Sequence, residues 1–198
     1  PVQRAITMDV VERQHRRARF RFARRRLRFD AEHRIYECDP VDAAFARKPD
    51  GNDRSQAKAI MAGECDLALG NTYYVGLMMT NEKEPEEKEW AASVKVLFPN
   101  AGDRGTHVNI SGMALTKNAP NKDNAVKLME FLASDEAQSI YAEKVFEYPV
   151  GPNAKASEIV AGFGPIKADP LPLSEIAANR KTASELVDKV GLNEGPTQ

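Results

Sequence analysis

The chain runs to 198 residues, of which 42% are apolar and 29% charged, with a formal net charge of −1. This length holds one large domain or one and a half small ones, and the composition is that of a soluble globular protein. No window carries roughly 18 or more apolar residues, which excludes a membrane-spanning helix.

The charge is unevenly spread. Residues 1–47 hold twelve arginines, no lysine and seven acids, a net of +5. Residues 48–198 hold three arginines, thirteen lysines and twenty-two acids, a net of −6. Arginine and lysine do the same electrostatic work on phosphate, so a complete exchange of one for the other points to a change of source more than to selection for charge. The first ten residues, Pro1 to Val10, run on into arginines instead of an apolar core. No export leader is therefore read here, and one upstream of Pro1 stays open. Between Val11 and Arg34 the apolar residues keep no steady period, and Arg24-Arg25-Arg26 interrupts the alternation of Phe20, Phe22, Leu27 and Phe29. Three readings stand for residues 1–44: a non-native or frame-shifted leader, a disordered basic arm, or an Arg-rich nucleic-acid-binding arm. No groove-reading motif accompanies the charge.

From about Phe45 the texture becomes that of an ordered α/β protein. Lys48-Pro49-Asp50-Gly51 is a turn signal. Asn52 or Asp53 caps a helix through Ala62, with Gln56 in capping-box spacing to Asp53 and Gly63 ending it. Its apolar face is Ala57, Ile60 and Met61. Cys65 to Leu69 reads as a short buried strand, with Cys65 a small buried hydrophobe. Asn71 is the N-cap of a helix from Thr72 to about Met79, which places Tyr73 and Tyr74 in its first turn.

Glu82 to Glu89 is a solvated acidic stretch leading into a helix with Pro85 near its start. Val94 to Phe98 is a second strand, stopped by Pro99, and His107 to Thr116 a third extended segment. Asn121 caps a helix whose Ala125, Val126, Leu128, Met129 and Leu132 form an apolar stripe. Ser134 restarts it, with Asp135 and Glu136 where the helix dipole favours acids, and Tyr141 falls here as a packing residue. Ser174 opens a final helix with Ile176, Ala177, Ala183, Leu186, Val187 and Val190 inward, ended by Gly191.

Few residues carry chemistry. There is no phosphate loop, no Gly-x-Ser-x-Gly elbow and no Cys-x-x-Cys; Cys38 and Cys65 make no metal spacing, and His15, His33 and His107 are scattered. Catalysis is not indicated. Tyr73 and Tyr74 stand out, because adjacent phenols at the carboxyl end of a strand form a hard-oxygen donor set. Phenolates suit a small, highly charged cation such as ferric iron. The plain alternative is one core and one surface tyrosine. Arg104 is a candidate to hold carbonate or a carboxylate in bidentate fashion, and Asn71 stands behind the pair as a supporting residue.

Several segments carry a family resemblance. They include Ala46-Arg47-Lys48-Pro49-Asp50-Gly51-Asn52-Asp53 and Gly63-Glu64-Cys65-Asp66-Leu67-Ala68-Leu69-Gly70-Asn71-Thr72-Tyr73-Tyr74. Gly105-Thr106-His107-Val108-Asn109-Ile110-Ser111-Gly112, Ala119-Pro120-Asn121-Lys122, Glu130-Phe131-Leu132 and Glu147-Tyr148-Pro149-Val150 follow in order. Over residues 45–198 the chain resembles the ferric-iron-binding periplasmic proteins of bacterial ABC importers, a transferrin-like branch of the two-lobed solute-binding proteins. The resemblance implies an α/β chain holding part of a type II periplasmic-binding-protein fold, mainly its carboxyl-terminal portion, behind an anomalous Arg-rich leader. It implies Fe(III) as cargo with Tyr73 and Tyr74 as ligands, a synergistic anion such as carbonate, and two lobes closing over the metal. The implied partner is an ABC importer permease, the implied location the periplasm, and the expected state a monomer that binds no nucleic acid.

Residues 1–44 depart from that family. Tyr36 is the only tyrosine upstream of the pair, and its surroundings do not match, so it receives no ligand role. The expectation is half a binding cleft, with a truncated or frame-shifted product lacking independent activity as the rival reading.

Overall fold

An eleven-residue strand organises the sheet. The computed structural model describes residues 3–13 as backbone, together with residues 48, 50–65, 67–191 and 194. Strand β1 (Gln3–Arg13) pairs antiparallel with three others. These are β2 (Leu67–Asn71), β3 (Val94–Leu97) and β4 (Val108–Gly112). The amino-terminal half of β1 pairs with β4, from Gln3↔Gly112 to Thr7↔Val108. Its carboxyl-terminal half is flanked by β2, from Met8↔Asn71 to Glu12↔Leu67, and by β3, from Val10↔Leu97 to Arg13↔Val94. β1 thus lies within the segment that the sequence sets apart as residues 1–44. The upstream Tyr36, His15, His33 and Cys38 lie outside the described residues, as do Pro49 of the turn signal and the arginine run.

Two compact units divide the chain, Pro1–Gln14 with Gly51–Pro170 and His15–Asp50 with Leu171–Gln198. In the first, helices α1 (Asp53–Ala62), α2 (Thr72–Met79) and α3 (Glu86–Ala92) pack on one another and against β2 and β3. The core they enclose is Ala57, Ile60, Val75, Met78, Ala91 and Val94, with Cys65, Ala68, Trp90, Val96 and Phe163 packed at its margin. Ile60 is wholly buried, a contribution of about 1.5–3 kcal/mol for one such side chain.

Local signals explain the helix ends. Asn52 caps α1 with its Oδ1 accepting from Arg54 N–H at 3.0 Å, and Gly63 closes it in the left-handed conformation at φ 86°. Between the two expected caps, Asn52 therefore takes the role and Asp53 is released for another. Ser134 caps α5 (Asp135–Lys144) through Ala137 N–H. Gly76 in α2 allows a close approach: a Cβ there would stand 2.4 Å from Cγ of Phe146.

Several expectations need correction. The strand expected over residues 65–69 is not buried throughout: it lies at Leu67–Asn71, and Leu69 is 62% exposed. Alternation sends Ala68 and Gly70 toward the helices and Leu69 to the opposite face. The acidic stretch is not wholly solvated, since Glu87 is buried. In α4 (Lys122–Ala133) no residue is buried, and Val126 and Leu128 are exposed. Ala125, Met129 and Leu132 share one line at i, i+4 and i+7 and are half-buried, while Val126 and Leu128 fall on its flanks. A five-residue helix that the sequence does not announce, α6 (Glu158–Gly162), follows the loop after α5 and is capped by Ser157.

In the second unit the described element is α7 (Leu173–Lys189), which has Pro172 at its N-cap position and no buried residue. Ile176, Leu186, Val187 and Val190 are half-buried, and Ala177 and Ala183, expected inward, are exposed.

Candidate functional site

The site is a junction between two helix starts. β2 runs directly into α2 at Asn71, whose backbone is still extended (φ −87°, ψ 134°). Asn71 holds the N-cap position as expected, yet its side chain makes no cap hydrogen bond. It turns instead to Asp53 in the first turn of α1. Asp53 Oδ1 accepts from the Asn71 backbone N–H at 2.5 Å and from Asn71 Nδ2 at 3.1 Å. Gly70 permits this contact, because a Cβ there would stand 3.2 Å from Asp53 Oδ1. Asn71 Oδ1 is buried and accepts no hydrogen bond.

Two residues further on, Tyr73 and Tyr74 lie side by side. Their ring centroids are 4.4 Å apart with the planes tilted by 31°. Both are half-buried, so neither matches the plain alternative of one core and one surface residue. The Arg54 guanidinium lies over the Tyr74 ring, Cζ to centroid 5.1 Å. Arg54 Nε in turn donates to Glu87 Oε2 at 3.1 Å and lies 3.0 Å from Oε1. Asn81 Nδ2 donates to the same carboxylate at 2.9 Å.

The electrostatics separate the groups. Burial pushes the Tyr73 phenol up, well above the usual tyrosine range; its hydrogen bond with Tyr74, the charge on Tyr74, and then the carboxylates of Asp53 and Glu147 push the same way. Burial would raise Glu87 as well, but the hydrogen bonds from Asn81 and Arg54 and the charge of Arg54 outweigh it and hold this carboxyl below its ordinary value.

The remaining candidates belong to other segments of the chain. Arg104 Nε is 3.1 Å from Asp169 Oδ2, so its guanidinium already faces a carboxylate. The backbone beside it is fixed by Thr106, whose N–H donates to Lys167 C=O at 2.7 Å and whose C=O accepts from Asp169 N–H at 2.8 Å. His107 is exposed and Tyr141 is half-buried on α5. Among the described residues no group of three or more His, Cys, Asp or Glu is placed to hold a metal ion. Sequence reasoning missed Arg54, Glu87 and Glu147 and weighed Asp53 only as a cap. The available signal was two adjacent charged residues, Asp53 and Arg54, left over once Asn52 serves as cap.

Comparison with known proteins places the chain. Residues 42–139 match the family model for bacterial extracellular solute-binding proteins. Iron uptake protein A1 of Synechocystis is 43% identical over 147 residues, covering 74% of this chain and 41% of that protein. A Bordetella ferric binding protein superposes with a TM-score of 0.81 at 38% identity, covering 97% of this chain and 69% of the other. A Trichodesmium protein solved in complex with iron and citrate superposes at 0.76 with 29% identity, covering 96% of this chain and 69% of the other. The chain belongs to the ferric binding proteins among the bacterial extracellular solute-binding proteins. Its fold is accordingly part of the two-lobed type II solute-binding fold, as the sequence implies. This is not an enzyme family. The chain spans about two fifths of the length of the curated relatives it matches. Among the described residues no helix is long and apolar enough to cross a membrane.

Proposed function

We propose that this chain takes part in capturing Fe(III) for an ABC importer, with Tyr73 and Tyr74 as phenolate ligands. The observation that carries the reading is the pair itself, two half-buried phenols 4.4 Å apart at the end of β2. The chemistry of the donor set fits the cargo. Burial first, then Tyr74 and the carboxylates of Asp53 and Glu147, disfavour a bare phenolate at Tyr73, and the same carboxylates attract a highly charged cation. A trivalent ion therefore offsets the charge that the protein alone disfavours, and Tyr73 keeps its proton until metal arrives. Asn71 supports the pair through its tie to Asp53. A synergistic anion such as carbonate fills remaining coordination positions, and Arg104 would have to exchange Asp169 for it. The cargo passes to a membrane permease in the periplasm, and the chain acts as a monomer, without catalysis and without nucleic acid.

Ferric iron added with a weak chelator should develop a visible phenolate-to-iron charge-transfer band, abolished in Tyr73→Phe/Tyr74→Phe. An unchanged band in the double variant would overturn the assignment. No band in the unaltered chain would overturn the ferric reading as a whole.

A further inference from the structure

Arg54 is an unusual neighbour for a cation ligand. A guanidinium on the face of Tyr74 adds positive charge beside the place where a trivalent ion would sit, so it needs a reason to be there. Its position is not an accident of a loose surface side chain. Arg54 is 29% exposed, and its Nε is held by Glu87, which is 2% exposed and is also gripped by Asn81. Burying a carboxylate is costly unless it is paired and hydrogen-bonded, and here α3 supplies the carboxylate, α1 the guanidinium and α2 the ring. The three helices thus meet on one stack, Glu87–Arg54–Tyr74.

We propose that Arg54 is a positioning residue that fixes the plane of the Tyr74 ring against Tyr73, so that both phenols are set for one cation before it arrives. A flat guanidinium constrains a ring face as an ammonium does not. Asp53, the residue before it, holds the other end of the same turn through Asn71. One helix start therefore fixes both the entry to α2 and the ring at its first turn. The inference rests on the Fe(III) reading for its purpose but not for its geometry.

The test uses the full 198-residue chain as Arg54→Gln, Arg54→Lys and, as control, Lys58→Gln; Lys58 shares α1 with Arg54, and its cation lies over Trp90 of α3, 5.2 Å from the ring centroid. The first readout needs no metal: the near-ultraviolet circular dichroism of the coupled tyrosines, with far-ultraviolet dichroism confirming that the fold is kept. Arg54→Gln should lose most of the coupled signal, Arg54→Lys should recover little of it, and Lys58→Gln should leave it unchanged. The second readout is the ferric charge-transfer band, which should move in wavelength in Arg54→Gln while affinity falls roughly tenfold. Coupled dichroism in Arg54→Gln equal to that of the unaltered chain would overturn the proposal. Full recovery by Arg54→Lys would overturn the role of the planar group. A chain that shows no band at all sinks the iron reading alone, since the metal-free dichroism still decides the role of Arg54.

Discussion

Asp53 and Asn71, eighteen residues apart, are joined twice through one carboxylate oxygen: 2.5 Å to the backbone N–H and 3.1 Å to the side-chain amide. The bond clamps the end of β2 to the start of α1, immediately before the two tyrosines. Asp53→Ala leaves a part-buried donor without its acceptor, a loss of about 1–3 kcal/mol. Urea unfolding should show the midpoint drop, with Asp53→Asn recovering part of it because an amide oxygen still accepts. An unmoved midpoint in the alanine variant would mean that the clamp adds nothing.

Gly76 should tolerate no side chain. A methyl group there meets the Phe146 ring at 2.4–2.8 Å, and Phe146 is itself 5% exposed with its backbone at φ 57°. Overpacking of this kind costs about 1–3 kcal/mol. Gly76→Ala should lower the thermal midpoint, and the paired change Gly76→Ala/Phe146→Leu should restore part of it.

Glu87 links stability to acid. Its carboxyl is held below the ordinary value in the folded chain, so the folded state binds this proton less readily than the unfolded state. The stabilisation is present above the unfolded value of roughly 4.3 and is lost as pH falls through the folded one. Glu87→Gln should be less stable near neutrality by about 1.5–3 kcal/mol, the range for a hydrogen bond to a charged group. Its stability should also fall less steeply in acid than that of the parent chain. Equal slopes below pH 4 would remove Glu87 from the account of acid unfolding.

Tyr73 works in the opposite direction. Its phenol is raised in the fold, so its contribution is present below the unfolded value of roughly 10 and is lost as pH rises through the folded one. Absorbance of phenolate on alkaline titration should show one tyrosine lagging the others, and Tyr73→Phe should remove that component. Ferric binding must displace this proton, so uptake should release protons and weaken as pH falls. A pH-independent affinity would contradict phenolate ligation.

Much of the local structure was legible. α1, α2, α3 and α5 begin at or within a residue of the Asn, Pro and Ser signals that announce them, and α1 ends at its Gly63. Capping chemistry acts over four residues, so sequence alone displays it. The adjacent tyrosines could be singled out for the same reason, since their neighbourhood is the chain itself. The burial of Glu87 and the exposure of Leu69 and Leu128 were not legible. An acidic stretch or an apolar stripe states a preference, and only the element packed against it decides how far that preference is met.

The sequence by itself determined where helices α1 to α5 start, which residues could donate to a hard cation, and the family to which those segments are similar. The tertiary structure alone decided what surrounds the donors. Asp53 reaches Asn71 across eighteen residues, and Glu87 holds Arg54 over Tyr74 across thirty-three. Charges so far apart in the chain carry no periodicity that marks them as partners. They find each other only because three short helices bury one apolar face together and so bring their starts to a single place.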